Sequence, residues 1–326
     1  MTGVGLFIGG LVLLIVAAEM VVRGASRVAF SLGIKPLVLG LTVVAVGTSM
    51  PELAIGITAS LQGSGALTIG NIAGTNIFNI LFILGLSALL KPLPLQLRIL
   101  RLELPVILGT AAMMTGLAWD GILSRLDGLV LFGTAIVYTV GLIRTSRKES
   151  RSVKQEFNDM YAPGDARGQR TLAQAWLADG LLLTLGLVLS VLGAHWLVAG
   201  SVNIARGLGI SEAIIGLTIV AMGTSAPELA TTIVATLRDE RDVAVGNLIG
   251  SSIYNILVIL GITCIVAPDG VPVERQLLWF DIPLMAGVMI ACIPVFVTGR
   301  RVSRLEGGLF VAIFIAYMSW IVGVRA

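Results

Sequence analysis

Histidine and cysteine are nearly missing from this chain, and charge is thin. One histidine and two cysteines in 326 residues are too few for a zinc or copper centre, which draws on imidazole and thiolate. Cys264 and Cys292 both fall inside apolar segments, so no disulfide framework or redox compartment is read from them. No HExxH motif occurs. Charged residues make up 13% of the chain, against roughly 25% in soluble domains. What fills the space is apolar: 56% hydrophobic residues and a mean hydropathy of +0.97. This is the composition of a polytopic membrane protein. The net charge of +3 and the pI near 9.1 do not indicate a nucleic-acid partner, because the basic residues sit in short loops between apolar spans. The N-terminus lacks a basic leader region and a small-residue cleavage site, so it is read as a retained first helix.

A spanning helix needs about 20 mostly apolar residues. Ten segments qualify: 4–22, 36–61, 66–90, 103–119, 126–144, 174–198, 211–236, 243–267, 278–297 and 305–324. One long polar stretch, with Pro163–Gly164 near its end, divides them, so the expected organisation is a five-helix half at 1–144, a solvated linker at 145–173 and a second half at 174–326. Placing the linker in the cytoplasm puts 18 of the 22 Lys and Arg residues on that side and leaves Arg125, Arg206, Arg275 and Arg325 opposite. This is the positive-inside pattern. The expected fold is therefore an all-α membrane protein of ten helices with both termini extracytoplasmic. An odd number of helices per half turns the second half upside down, as in the inverted repeats of secondary transporters.

The two halves share a duplicated stretch. Leu41–Leu81 (repeat 41–81) aligns without a gap on Leu217–Leu257 (repeat 217–257) at an offset of 176 residues, with 21 of 41 positions identical. The shared residues are GTS, PEL, GN, Gly74/Gly250 and Asn79/Asn255. Between Pro36 and Leu90 the single ionisable side chain is Glu52, and Glu228 is its copy. A carboxylate at mid-membrane costs about 2.5–3.5 kcal/mol on insertion scales, and neither copy has a Lys, Arg or His nearby to offset it. A cation or a proton is the simplest compensation.

The neighbouring residues meet the same need. Thr48 and Glu52 stand four apart, on one helical face, as do Thr224 and Glu228. Pro51 and Pro227 cannot donate to the carbonyls of Gly47 and Gly223 and push those turns open. Unwound carbonyls at membrane depth are tolerated in a cavity or against protein. Each copy thus offers carboxylate, hydroxyl and carbonyl oxygens, which suit Ca²⁺ or Na⁺. Asn79 and Asn255, with Thr75 and Ser251 one turn earlier, are further ligand candidates, whereas Gly70, Gly74, Gly246 and Gly250 read mainly as close helix packing. Glu19, Asp179, His195 and Asp281 read as interfacial or packing groups, Glu103 and Asp120 as ordinary helix-end charges, and Asp239–Asp242 as a solvated turn.

GTSxPE followed 27 residues later by Asn, in both halves, resembles the α1 and α2 repeats of the calcium/cation antiporter superfamily, specifically its prokaryotic sodium/calcium exchanger (YrbG-like) branch. The resemblance runs the whole chain. It implies antiport of Ca²⁺ against Na⁺ by alternating access in the inner (plasma) membrane. No resident cofactor and no obligate protein partner are expected; the transported ions and the lipid bilayer are the partners. Carried over by position, Glu52, Glu228, Asn79 and Asn255 frame the centre, and Thr48, Thr224, Ser49 and Ser225 add hydroxyl oxygens. The carbonyls of Ala45 and Ala221, with Thr75 and Ser251, complete the flanking Na⁺ positions. One position departs: exchangers of this branch carry aspartate where this chain has Asn255. Two glutamates neutralise one Ca²⁺, but three Na⁺ leave the site at +1, so H⁺/Ca²⁺ exchange stays open as the alternative. A passive channel is disfavoured by the inverted repeat with broken helices. An intramembrane hydrolase is disfavoured because no His or Lys accompanies Ser49 or Ser225.

Overall fold

The computed structural model describes residues 3–62, 65–97, 99–160, 172–209, 215–297 and 299–325. Its helices are α1 Gly3–Leu32, α2 Pro36–Thr48, α3 Met50–Leu61, α4 Leu67–Leu90, α5 Arg101–Asp120, α6 Arg125–Met160, α7 Leu172–Gly207, α8 215–224, α9 Ala226–Leu237, α10 Arg241–Val266, α11 Leu277–Val297 and α12 Arg304–Arg325. Among the described residues eight helices are long and apolar enough to cross a membrane, nine if the bent pair α2–α3 is one span. The chain is thus a multi-pass membrane protein. The expected span at 211–236 includes residues 211–214, which lie outside the described residues, and α9 alone is too short to cross.

Two expectations change. The first helix does not stop at residue 22 but runs to Leu32, through a Glu19–Arg23 ion pair one turn apart. It ends at Gly33, whose left-handed φ of 65° lets the Ile34 N–H bond back to the Ala29 carbonyl. The polar linker is helical over much of its length, since α6 continues to Met160 and α7 begins at Leu172. Lys, Arg, Glu and Gln are good helix formers, and neither Gly nor Pro interrupts them before Pro163. Residues 161–171 of the linker lie outside the described residues.

Equivalent helices of the two halves run in opposite directions. Near the end of α5, Trp119 meets Trp279 near the start of α11 edge-on, ring centroids 5.4 Å apart. β2 (Ile122–Leu123), just after α5, pairs antiparallel with β3 (Val271–Pro272), just before α11. At the other ends β1 (Leu93–Pro94), before α5, pairs with β4 (Arg301–Val302), after α11. The equivalent helices α1 and α7 also pack antiparallel, and glycines let their backbones meet. A Cβ on Gly24 would lie 2.8 Å from the Leu183 N, and one on Gly186 would lie 2.9 Å from the Val21 N.

The halves interlock rather than sit side by side. α12 crosses α4 where Gly85 faces Gly307, and α6 crosses α10 where Gly128 faces Gly261. Each of these outer helices starts with a reciprocal cap, Ser124 with Asp127 and Ser303 with Glu306. Their first arginines reach the carbonyl ends of the helices they cross: Arg125 Nε donates to Ala267 O at 3.1 Å and Arg304 to Leu90 O at 3.2 Å. α4 and α10 are the most buried spans. α1, α6, α7 and α12 expose leucine, isoleucine and valine outward, the surface a bilayer would cover.

Candidate cation site

The site is built where two helices break. α2 and α3 meet at Ser49 (φ −84°, ψ 12°) with a 43° bend, and α8 and α9 meet at Ser225 with nearly the same dihedrals, −85° and 12°. Pro51 and Pro227 follow in the first turns, where a missing N–H costs nothing. Glu52 and Glu228 therefore sit at helix N-termini, whose partial positive charge favours a carboxylate. Facing them are α4 and α10, each widened into a π-helical stretch, Phe78–Leu84 and Asn255–Leu260, which carry Asn79 and Asn255. Such π segments inside α-helices often mark functional sites.

Every side chain expected at the site is buried: Thr48, Ser49, Glu52, Thr75, Asn79, Thr224, Ser225, Glu228, Ser251 and Asn255, with Ala45 beside them. The hydroxyls cross between the copies. Ser49 donates to Glu228 Oε1 at 2.8 Å, and Ser225 donates to Glu52 Oε1 at 3.1 Å. Ser225 also lies 3.4 Å from the Thr75 hydroxyl. Thr224 stands beside the Glu52 carboxylate and Thr48 beside that of Glu228. The Ala45 carbonyl gathers the Ser49 N–H (3.2 Å), the Thr48 hydroxyl (3.3 Å) and the Ser251 hydroxyl (3.4 Å). Ala221 opens the equivalent short helix. The two carboxylates lie close enough to interact electrostatically.

Four oxygens in this centre have no hydrogen-bond partner among the described residues: Glu52 Oε2, Glu228 Oε2, Asn79 Oδ1 and Asn255 Oδ1. Buried polar atoms left unpaired are costly and rare. Two carboxylate oxygens and two amide oxygens are the donor set of a hard cation. No cluster of three or more His, Cys, Asp or Glu occurs among the described residues, so the centre is one of neutral oxygens around two charges.

Two partners were not assigned to the site from the sequence, Asn247 and Asn76. Asn247 Oδ1 accepts from Thr48 at 3.1 Å, and its Nδ2 reaches Thr232 at 3.1 Å and the Glu228 carbonyl at 3.5 Å. Its signal was the identical GN pair in both copies. Asn76 holds Asn255 (3.3 Å) and has no counterpart, since Ser252 stands at its copy. The glycines divide as well: Gly246 and Gly250 touch the α2 backbone, while Gly70 and Gly74 make no such close approach among the described residues.

Outside the centre, Glu19 pairs with Arg23 and Arg238, and Asp179 with Arg27. Asp239 pairs with Lys91 and Arg241, which hold its carboxyl below the usual carboxylate range, hydrogen bonding from Lys91 being the larger cause. Glu103 corrects the reading as an ordinary helix-end charge: it is 1% exposed and accepts a hydrogen bond from the Tyr138 hydroxyl at 2.6 Å.

The family model described as "Sodium/calcium exchanger protein" matches residues 2–144 and 180–323. The chain is 33% identical to the inner membrane protein YrbG of Escherichia coli, over 97% of this chain and 96% of YrbG. It is 32% identical to the sodium/calcium exchanger MaX1 of Methanosarcina acetivorans, over 95% of each. Among solved structures, the sodium-calcium exchanger NCX_Mj soaked with Na⁺ and Sr²⁺ superposes with a TM-score of 0.81 at 29% identity, over 97% of both chains. Duplicated broken helices, paired glutamates and full-length similarity agree, and the chain belongs to the sodium/calcium exchanger family, within the calcium/cation antiporter superfamily.

Proposed function

We propose that this protein exchanges Ca²⁺ for Na⁺ by alternating access across the plasma (inner) membrane. Ions bind between the GTSxPE repeats. The observation that carries the reading is the set of four unpartnered buried oxygens on Glu52, Glu228, Asn79 and Asn255. The two glutamates balance the charge of one Ca²⁺. Thr48, Thr224, Ser49 and Ser225 supply hydroxyl oxygens, and the Ala45 and Ala221 carbonyls with Thr75 and Ser251 take the flanking Na⁺ positions. In this reading the chain forms ten spans in two inverted halves, 1–144 and 174–326, joined through a cytoplasmic linker, with both termini outside. The opposed senses of α5 and α11 and of α1 and α7 support the inversion.

A broken symmetry supports alternating access. α1 packs closely on α9, sealed by Leu14, Ala194 and Ala226 and by the Glu19–Arg238 ion pair. The equivalent packing, α7 on α3, is much sparser among the described residues. At the positions equivalent to Glu19 and Arg238 stand His195 and Gln62, both exposed. The two faces of the site are thus packed unequally.

The alternative, H⁺/Ca²⁺ exchange, is favoured by one observation, the neutral Asn255, which leaves three Na⁺ uncompensated by one charge. Under either counter-ion, Glu52→Gln and Glu228→Gln abolish Ca²⁺ flux in protein that remains folded. Wild-type flux in both variants contradicts the site.

A further inference from the structure

The two central asparagines occupy equivalent positions but are held differently. Asn255 Nδ2 donates to Asn76 Oδ1 at 3.3 Å, and Asn76 Nδ2 in turn contacts Met285 Sδ of α11 at 3.4 Å. All three side chains are at most 1% exposed. With its NH₂ engaged, Asn255 presents Oδ1 as its unpartnered atom. In the other copy Ser252 replaces Asn76 and bonds to its own helix at Leu248 O, 3.0 Å. Asn79, which by the same relation would face Ser252, has neither amide atom partnered among the described residues. An amide is a cation ligand only through its oxygen, so a group that fixes which end faces the ion fixes whether it binds.

We infer that Asn76 is a positioning residue. It holds the Asn255 amide by its NH₂ and leaves the oxygen free for an ion, and so makes a neutral side chain at 255 serve as a ligand. Asn79 lacks such a partner and rotates to suit the ion. The inference rests on the Ca²⁺ reading of the centre. It also explains why an amide at 255 requires help that a carboxylate does not: a carboxylate offers an oxygen whichever way it turns, whereas an amide turned over presents two N–H donors to a cation.

The test is a calorimetric Ca²⁺ titration of the purified, detergent-solubilised full chain in two backgrounds. With Asn255 present, Asn76→Ala weakens Ca²⁺ binding by about tenfold, the low end of what loss of a ligand's supporting group costs. In the Asn255→Asp background the same change leaves the dissociation constant within about twofold or lowers it. Asn76→Ser, which installs the residue found at the equivalent position 252, repeats the pattern and guards against a variant that fails to fold. An equal penalty in both backgrounds, as a merely structural role would give, overturns the inference, and so does no penalty with Asn255. Absence of Ca²⁺ binding by the wild-type protein overturns the site reading itself, a distinct result.

Discussion

Ser49 donates a hydrogen bond to Glu228 Oε1 at 2.8 Å, although 179 residues separate them in the chain. The reciprocal bond, Ser225 to Glu52, is 3.1 Å long. Each copy of the repeat thus orients the carboxylate of the other. Neither half holds a finished site, and the interlocked outer helices keep the two in register.

Removing one of these hydroxyls takes away the group that aims a carboxylate and, in the proposed site, an oxygen ligand. Ser49→Ala and Ser225→Ala are each expected to weaken Ca²⁺ binding by about tenfold or more. Calorimetric titration checks this, and the two losses should be similar because the bonds are related by the duplication.

The glutamates cost stability when no cation is bound. Glu52→Gln and Glu228→Gln should raise Tm in chelator, since an isosteric amide removes a buried ionisable group that has no cation to offset its desolvation. The same variants should lose the Ca²⁺-dependent rise in Tm that ligand binding gives the wild type. Thermal unfolding with and without Ca²⁺ measures both.

A Cβ added at Gly246 would lie 2.7 Å from the Leu37 carbonyl, and one at Gly250 would lie 2.7 Å from that of Leu41. Gly246→Ala and Gly250→Ala are expected to cost about 1–3 kcal/mol of overpacking, read as a lower Tm. Gly109→Ala, with nothing within 4 Å of the new methyl among the described residues, is the control and should be neutral or stabilising.

Much of the centre was legible because the chain states it twice. One carboxylate in an otherwise uncharged span is informative, and its recurrence at the same offset beside proline is decisive. The break at Ser49 followed from the missing N–H of Pro51. What stayed hidden depends on contacts far apart in sequence. The π-helical widening around Asn79 and Asn255 has no local residue signal. Asn76 could not be found by comparing copies, because Ser252 replaces it. The burial of Glu103 goes with its hydrogen bond from Tyr138, 35 residues away. The extension of α1 past residue 22 is not legible because charge ends the apolar run without ending the helix; Gly33 does that.

The Glu19–Arg238 ion pair helps seal α1 on α9, with side chains 24% and 44% exposed. Partly exposed pairs contribute about 0.2–1 kcal/mol, so Arg238→Ala should shift the balance between the two access states by up to about fivefold. A cysteine introduced as Leu14→Cys, inside the sealed contact, should label faster with a thiol reagent when Arg238 is removed. The native Cys264 and Cys292 are buried and give a low background.

The most direct test of the exchange reaction is ⁴⁵Ca²⁺ uptake into proteoliposomes of the purified protein. One batch is loaded with Na⁺; another is loaded with choline and given an acidic interior. Uptake driven by the outward Na⁺ gradient alone is the predicted result, and it would show that Asn255 is compatible with Na⁺ coupling. Uptake driven by the proton gradient alone would contradict Na⁺ coupling and move the protein to H⁺/Ca²⁺ exchange, and uptake under neither condition would contradict the transport reading.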